Sequence, residues 1–280
     1  MSQREHSTRV LERIGRFFPV LLERYQRFVE ENDLVDNRQI IDFSSTYFEG
    51  WKAEFAAYGY SRDKRSDKMQ INFGISTGIN GIPTAITIQR GNTQDKKHMR
   101  EMLKVIPGVI PKGSLLIFDS GANTKGNKEK IRESGFHYLT LKAKKVKTYR
   151  KYVEYFKNNF EDVDILEINE RHYYCVKKME KGEVFYIFFS PELYMDQPRV
   201  KERKFEREKE KGNKILRRRK KERIPCDKGW VELIPFLQRT IVDMSNPYIT
   251  GIEGFFILEC SLDAEPEKVV EVVQRERDKG

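Results

Sequence analysis

The sequence predicts an α/β protein built on a mixed β-sheet. The first indication is a set of β-branched segments at residues 38–43, 70–77 and 82–89, of which the last two flank an Asn80-Gly81 hairpin turn. The second is that helical and strand-like patterns then alternate, over 95–106, 114–119, 124–134 and 136–142. The resulting order, β-β-β-α-β-α-β, describes an antiparallel meander followed by two crossovers. This is the element order of the ribonuclease-H-like fold.

The regions around this core predict a division of the chain into four parts. Residues 1–35 form a helical segment, because apolar side chains recur at a period near 3.6 over 8–31. Residues 36–143 form the first part of the core. Residues 144–252 form an insertion, with strands predicted at 164–168, 172–178 and 183–189 and a basic helical segment at 199–223. Residues 253–280 hold a returning strand and the start of a helix.

The positive charge is concentrated in one segment. The 280 residues contain 53 Lys and Arg against 43 Asp and Glu, a net charge of +10, and residues 199–223 alone hold 14 cations and 5 acids. Such a stripe suits a polyanion, with nucleic acid as the first choice. A solvated helix with internal Glu–Lys pairs is the alternative. The predicted DNA contacts are Lys214, Arg217, Arg218, Arg219, Lys220, Lys221, Arg223 and Arg277.

Several functional classes are disfavoured by the sequence. The apolar runs are far shorter than the ~20 residues of a membrane span, and the amino terminus lacks a signal-peptide pattern, which predicts a cytoplasmic, nucleoid-associated protein. The three cysteines form no Cys-x-x-Cys motif. The segment Gly121–Lys128 follows a strand and opens a helix, but it fails the Walker pattern because Asn127 stands where Lys is required. We therefore expect no nucleotide cofactor, although its amides could contact a DNA phosphate.

Two carboxylates lie at or near the carboxyl ends of apolar strands. Asp42 occurs in QIIDF and Asp119 in LLIFDSG. In a ribonuclease-H-like sheet the first and fourth strands are neighbours, so the two side chains would meet at the open edge. Facing carboxylates favour a hard cation, Mg²⁺ or Mn²⁺. For either residue alone, a turn or helix cap is the simpler interpretation.

Four segments together carry a family resemblance: IDFSSTYFEG (41–50), YGYSRDKRSD (58–67), INGIPTAITIQRGNTQD (79–95) and LLIFDSGANTKGNKEKIRESGFHYLTLKAK (115–144). In this order they resemble the DDE transposases of bacterial and archaeal insertion sequences, especially the insertion-sequence-4-like group. The resemblance covers residues 36–144 and returns at 253–279. It implies metal-dependent cleavage and transfer of DNA strands at transposon ends, with two metal ions. Asp42 and Asp119 match the first two catalytic and metal-binding acids.

The third acid of the family lies in a helical motif of Tyr, two residues, Arg, three residues, Glu, six residues and Lys. Arg277 fits the Arg position and Gln274 stands in place of Tyr, so the Glu would fall at position 281. We therefore expect this chain to be truncated at both ends and inactive. The alternative functions are a non-catalytic DNA-binding module, or an interfering partner that pairs with its own copy or with a full-length transposase. A metal-dependent nuclease of another ribonuclease-H-like lineage is a further alternative.

Overall fold

The computed structural model describes residues 3–49, 54–60, 65, 67–216, 222–226, 229–233, 246 and 248–277. Its helices are α1 (Gln3–Glu31), α2 (Asp95–Val105), α3 (Lys125–Glu133), α4 (Val146–Asn158), α5 (Pro191–Leu216) and α6 (Pro266–Arg277). Its strands are β1 (Arg38–Phe48), β2 (Met69–Gly78), β3 (Pro83–Arg90), β4 (Leu115–Phe118), β5 (His137–Leu141), β6 (Asp164–Ile168), β7 (Arg171–Glu180), β8 (Glu183–Phe189), β9 (Glu222–Cys226), β10 (Gly229–Leu233) and β11 (Phe255–Cys260).

The first five strands form the predicted ribonuclease-H-like arrangement. β1 and β2 pair antiparallel, and so do β2 and β3. The chain then crosses over through α2 to β4, which pairs parallel to β1, and through α3 to β5, which pairs parallel to β4. The fold-class prediction is therefore confirmed, and the carboxyl ends of β1, β4 and β5 share one edge of the sheet.

The same sheet continues through the strands of the predicted insertion. Within the part of the chain that the structure describes, it has nine strands in the order β3-β2-β1-β4-β5-β11-β8-β7-β6. β11 pairs antiparallel with β5 on one side and with β8 on the other. The returning strand therefore joins the first half of the sheet to the β6–β8 meander by backbone hydrogen bonds.

Side chains alternate between the two faces of the sheet, as a strand period of two requires. Ile41 and Phe118 belong to the core under α2 and α3, while Ile40 and Ile117 point to the opposite core, which includes Val269 of α6. A third apolar cluster lies between α4 and strands β7, β8 and β11. Within the described residues, no helix is long and apolar enough to cross a bilayer.

Three local predictions differ from the structure. β1 runs on to Phe48, five residues beyond the predicted end at residue 43, because Ser44–Phe48 pair with β2 through backbone groups whatever their side chains. α4 was not predicted. The helix expected over 199–223 is wrong at its carboxyl end, because Arg223 pairs with Glu232 in the β9–β10 hairpin.

Candidate active site at the carboxyl edge of the sheet

The two predicted carboxylates lie at the same step of neighbouring parallel strands. The β1–β4 ladder ends with the pair Ile41 and Phe118, and Asp42 and Asp119 are the next residues of the two strands' chains. Strands in a sheet lie about 4.8 Å apart, so this register brings the two backbones side by side. Both residues are exposed, in contrast to the buried pair before them. The fold therefore presents two carboxylates together at an edge open to solvent.

A short turn fixes Asp119 in place. The amide of Ala122 donates to the carbonyl of Asp119 (3.2 Å), and α3 begins directly afterwards with Thr124 as its cap, whose hydroxyl accepts from the amide of Asn127 (3.2 Å). The fully buried Asn127 side chain donates from Nδ2 to the carbonyl of Ala122 (2.9 Å) and to that of Lys96 (3.0 Å). The segment that fails the nucleotide-loop pattern thus serves to hold the turn beside Asp119.

The donor set suits a hard divalent cation. Mg²⁺ is commonly held by one or two carboxylates together with substrate phosphate oxygens and water, which is what an exposed pair of aspartates can supply. Among the described residues, no cluster of three or more His, Cys, Asp or Glu side chains forms a complete ligand cage. A cation held by Asp42 and Asp119 would therefore take its remaining oxygen ligands from elsewhere.

Helix α6 packs on the sheet face to which Ile40 points, two residues before Asp42 on β1. Val269 and Val270 are buried in that core. Glu271 lines a pocket together with Arg38 and Leu115, the first residues of β1 and β4. This acid is therefore at the amino edge of the parallel strands, away from Asp42 and Asp119.

A lysine-rich loop follows β5 at the same edge as the carboxylates. We define it as residues 142–147, that is, the connection 142–145 together with the first two residues of α4, which carry lysines at 142, 144, 145 and 147. Lys145 and Lys147 are exposed. Lys144 donates from Nζ to Oε1 of Gln197 in α5 (3.2 Å). The pKa of Lys144 is lowered, mainly because burial removes water from its ammonium group and secondly because the charge of Lys201 is nearby. This loop was not among the predicted DNA contacts, although the cluster KAKKVK follows directly after a predicted strand.

The predicted DNA-contacting residues are dispersed over elements that the structure describes only in part. Lys214 lies in α5, Arg223 in β9 and Arg277 at the end of α6, and their side chains are not described. The run 217–221 (Arg217, Arg218, Arg219, Lys220 and Lys221) lies outside the described residues. The described part of α5 has mixed charge, with Arg199, Arg203 and Arg207 beside Glu202, Glu206 and Glu210. Over residues 199–216 as a whole, eight Lys and Arg stand against four Glu, so the excess of positive charge extends into α5.

The family is shown by comparison with known proteins. The family model described as a transposase DDE domain matches residues 34–275, which is most of the chain. The chain belongs to the transposase DDE domain family, and the sequence resemblance is confirmed. No curated protein sequence matches it significantly.

Two solved transposase structures are similar to the chain at low identity. One is the piggyBac transposase synaptic complex with hairpin DNA, at 9% identity and a TM-score of 0.43, covering 86% of this chain and 38% of that one. The other is the Mos1 transposase paired-end complex with the left transposon end, at 12% identity and a TM-score of 0.27, covering 49% and 42%. This chain thus spans about two fifths of the length of either transposase.

Proposed function

We propose that this chain is the catalytic domain of a DDE transposase that cleaves and transfers DNA strands at transposon ends with Mg²⁺ or Mn²⁺. The observation that supports this most is the register of Asp42 and Asp119 at the carboxyl edge of parallel strands, inside a matched transposase domain. An exposed carboxylate pair is accessible to a DNA phosphate, which a buried pair would not be.

The described residues at the carboxyl edge of the sheet have two proposed roles, metal binding and DNA binding. Asp42 and Asp119 would hold the divalent metal, which in such sites supplies charge neutralisation and an activated nucleophile for phosphoryl transfer. Lys145 and Lys147 lie on the same edge and are exposed, so their ammonium groups can bind phosphates that flank the scissile bond. The fixed turn at Asp119 keeps its carboxylate in place, so positioning need not be re-established in each cycle.

Within the described residues, the acid on α6 nearest the core is at the wrong edge of the sheet. Glu271 lines the pocket at Arg38 and Leu115. This placement favours a second candidate function, a non-catalytic DNA-binding module that binds metal and DNA without turnover. Such a module could pair with an intact transposase or with its own copy.

One experiment separates the two candidates. Purified protein is incubated with DNA carrying the ends of its element and Mg²⁺ or Mn²⁺, and the products are separated on a denaturing gel. Cleavage that disappears in Asp42→Ala and Asp119→Ala supports the enzyme and contradicts the inactive module. Metal-dependent DNA binding without cleavage, followed by inhibition of an intact transposase, supports the module. A chain that neither binds metal nor DNA contradicts both.

A further inference from the structure

A carboxylate that has no role in the proposed transposase function is buried within the sheet. Glu259 on β11 is 2% exposed and points away from α6, on the face shared with Thr140 of β5. Its carboxylate forms ion pairs with Lys128 and, at 3.5 Å, with Lys142. Burying a carboxylate is costly unless it is paired and hydrogen-bonded, so the two ammonium groups offset the cost of burying Glu259.

The third partner of Glu259 belongs to the turn that carries Asp119. Asn123 donates from Nδ2 to Oε2 of Glu259 (3.1 Å) and to the carbonyl of Leu141 (3.2 Å). Its own amide donates to the carbonyl of Ser120 (3.2 Å). The Asn123 side chain therefore attaches the Asp119 turn to β5 and β11 at once.

Lys142 connects the same carboxylate to the second part of the candidate site. It is the first residue of the lysine-rich loop, and its ammonium group lies over the ring of Phe185, 4.7 Å from the centroid. Its backbone amide donates to the carbonyl of Ile257 on β11 (2.9 Å). Glu259 thus contacts the residue that begins the lysine-rich loop as well as the turn that carries Asp119.

A second carboxylate in this cluster provides a matched control. Glu183 accepts from Lys128 (3.0 Å), Arg132 (2.8 Å) and the hydroxyl of Tyr138 (2.6 Å). Burial alone would raise the pKa of Glu183, but hydrogen bonds within the cluster outweigh it and lower the pKa to about 2. Glu183 is less buried than Glu259, with 14% against 2% of its side chain exposed, but it shares the Lys128 partner and lies against the Glu259 carboxylate itself. Its other hydrogen bonds go to Arg132 of α3 and Tyr138 of β5, and none goes to Asn123.

We infer that Glu259 is a positioning residue, which through Asn123 and Lys142 holds the Asp119 turn and the lysine-rich loop in a fixed relation at the active-site edge. The inference rests on the proposed function, because it takes Asp119 to be a metal ligand. Groups that orient the residues ligating a metal typically contribute 10–100-fold to its affinity. A contribution of that kind is distinguishable from general stabilisation of the fold.

The test measures Mn²⁺ binding by calorimetry on the full 280-residue chain and, without metal, amide hydrogen exchange in segment 119–124. Asn123→Ala removes the link and leaves the buried ion pairs, so we expect Mn²⁺ to bind roughly tenfold more weakly and exchange in the segment to accelerate. Glu259→Ala removes the acceptor and should weaken Mn²⁺ binding as Asn123→Ala does, whereas Glu259→Gln retains an oxygen that can accept from Asn123 and should keep most of the Mn²⁺ affinity. Glu183→Gln should lower the melting temperature and change neither Mn²⁺ affinity nor exchange in 119–124.

The outcomes separate this inference from the proposed function. If Asn123→Ala binds Mn²⁺ as the wild type does, or if Glu183→Gln weakens binding equally, the positioning role is overturned while the metal site stands. If the wild type binds no Mn²⁺, or if Asp119→Asn binds Mn²⁺ as well as the wild type does, the proposed metal site is wrong. The positioning role is then wrong as well. If Asn123→Ala binds Mn²⁺ more weakly and exchanges faster in 119–124 while Glu183→Gln does neither, the result supports both the metal site and the positioning role.

Discussion

Asp42 and Asp119 occupy matching positions on neighbouring parallel strands, one step beyond the buried pair Ile41 and Phe118. Because the ladder is parallel, both chains reach the carboxyl edge of the sheet together, which is where ligands bind in open α/β sheets. The change from buried apolar pair to exposed acidic pair occurs within a single residue. This step sets the boundary between the core and the candidate site.

Replacing either acid should remove divalent metal binding without unfolding the protein. We expect Asp42→Asn and Asp119→Asn to abolish Mn²⁺ binding measured by calorimetry, because each removes one of two charged donors. Both residues are exposed, so the free energy of unfolding should change by no more than about 0.5 kcal/mol. Asp164→Asn, an exposed acid on the edge strand β6, is the control. Undiminished Mn²⁺ binding in both variants would place the metal elsewhere.

Neutralising the lysine-rich loop should weaken DNA binding mainly through its salt dependence. Lys145→Gln/Lys147→Gln removes two exposed cations beside the carboxylate edge. If both contact phosphates, the slope of log affinity against log salt concentration should become shallower by about 1.8, from roughly 0.9 per contact. The measurement is fluorescence anisotropy of labelled duplex DNA at several salt concentrations.

The control for this experiment lies at the other end of the sheet. Lys112 is exposed and precedes β4, so it is at the amino edge of the parallel strands. Lys112→Gln should leave the salt slope unchanged. Equal effects of the two substitutions would show that DNA binding follows overall charge and not this edge.

Acid should destabilise the protein through His98, which is 1% exposed on α2. Burial lowers the pKa of His98 to about 4, and its Nε2 lies 2.9 Å from the Thr87 hydroxyl. Since the unfolded chain takes up a proton near pH 6.5 and the folded chain does so only near pH 4, stability should fall as pH drops across this range. The loss amounts to roughly 3 kcal/mol for a shift of this size.

Chemical denaturation between pH 7 and 4 tests this titration. His98→Gln can still hydrogen-bond to Thr87 but does not titrate, so its free energy of unfolding should depend less steeply on pH in this interval. His172, which is exposed on β7, serves as the control, and His172→Gln should keep the wild-type dependence. An unaltered slope in His98→Gln would contradict the assignment.

β11 should make the nine-stranded sheet unfold as one unit. Leu258 is fully buried and pairs with Leu141 on one side and Tyr186 on the other. We expect Leu258→Ala to cost about 2–5 kcal/mol, as deletion of buried methyl groups does, with a single transition in calorimetry. Leu262→Ala, at a residue that is 39% exposed, should cost far less. Two separate transitions would show that the β6–β8 meander folds independently.

Much of the fold was predictable because its signals are local. The alternating pattern around Asn80-Gly81 and the apolar run before Asp119 were enough to predict strands there. α4 was missed, although Tyr149, Tyr152, Val153 and Phe156 have helical spacing and are buried, because the lysines around them resemble a solvated loop. The extension of β1 to Phe48 reads SSTYF and lacks a clear alternating pattern, and it is paired through the backbone of β2.

The candidate site was likewise predictable in part. Local patterns, read against a known fold, were sufficient to identify Asp42 and Asp119 and to expect that their strands are neighbours. Only tertiary structure decided that β11 joins the two halves of the sheet and that the lysine-rich loop shares the carboxylate edge. It also decided that Glu259 supports the Asp119 turn through Asn123, a hydrogen bond between residues 136 positions apart. Periodicity reports which face of an element is buried, whereas the partner of a buried charge depends on which elements the folded chain brings together.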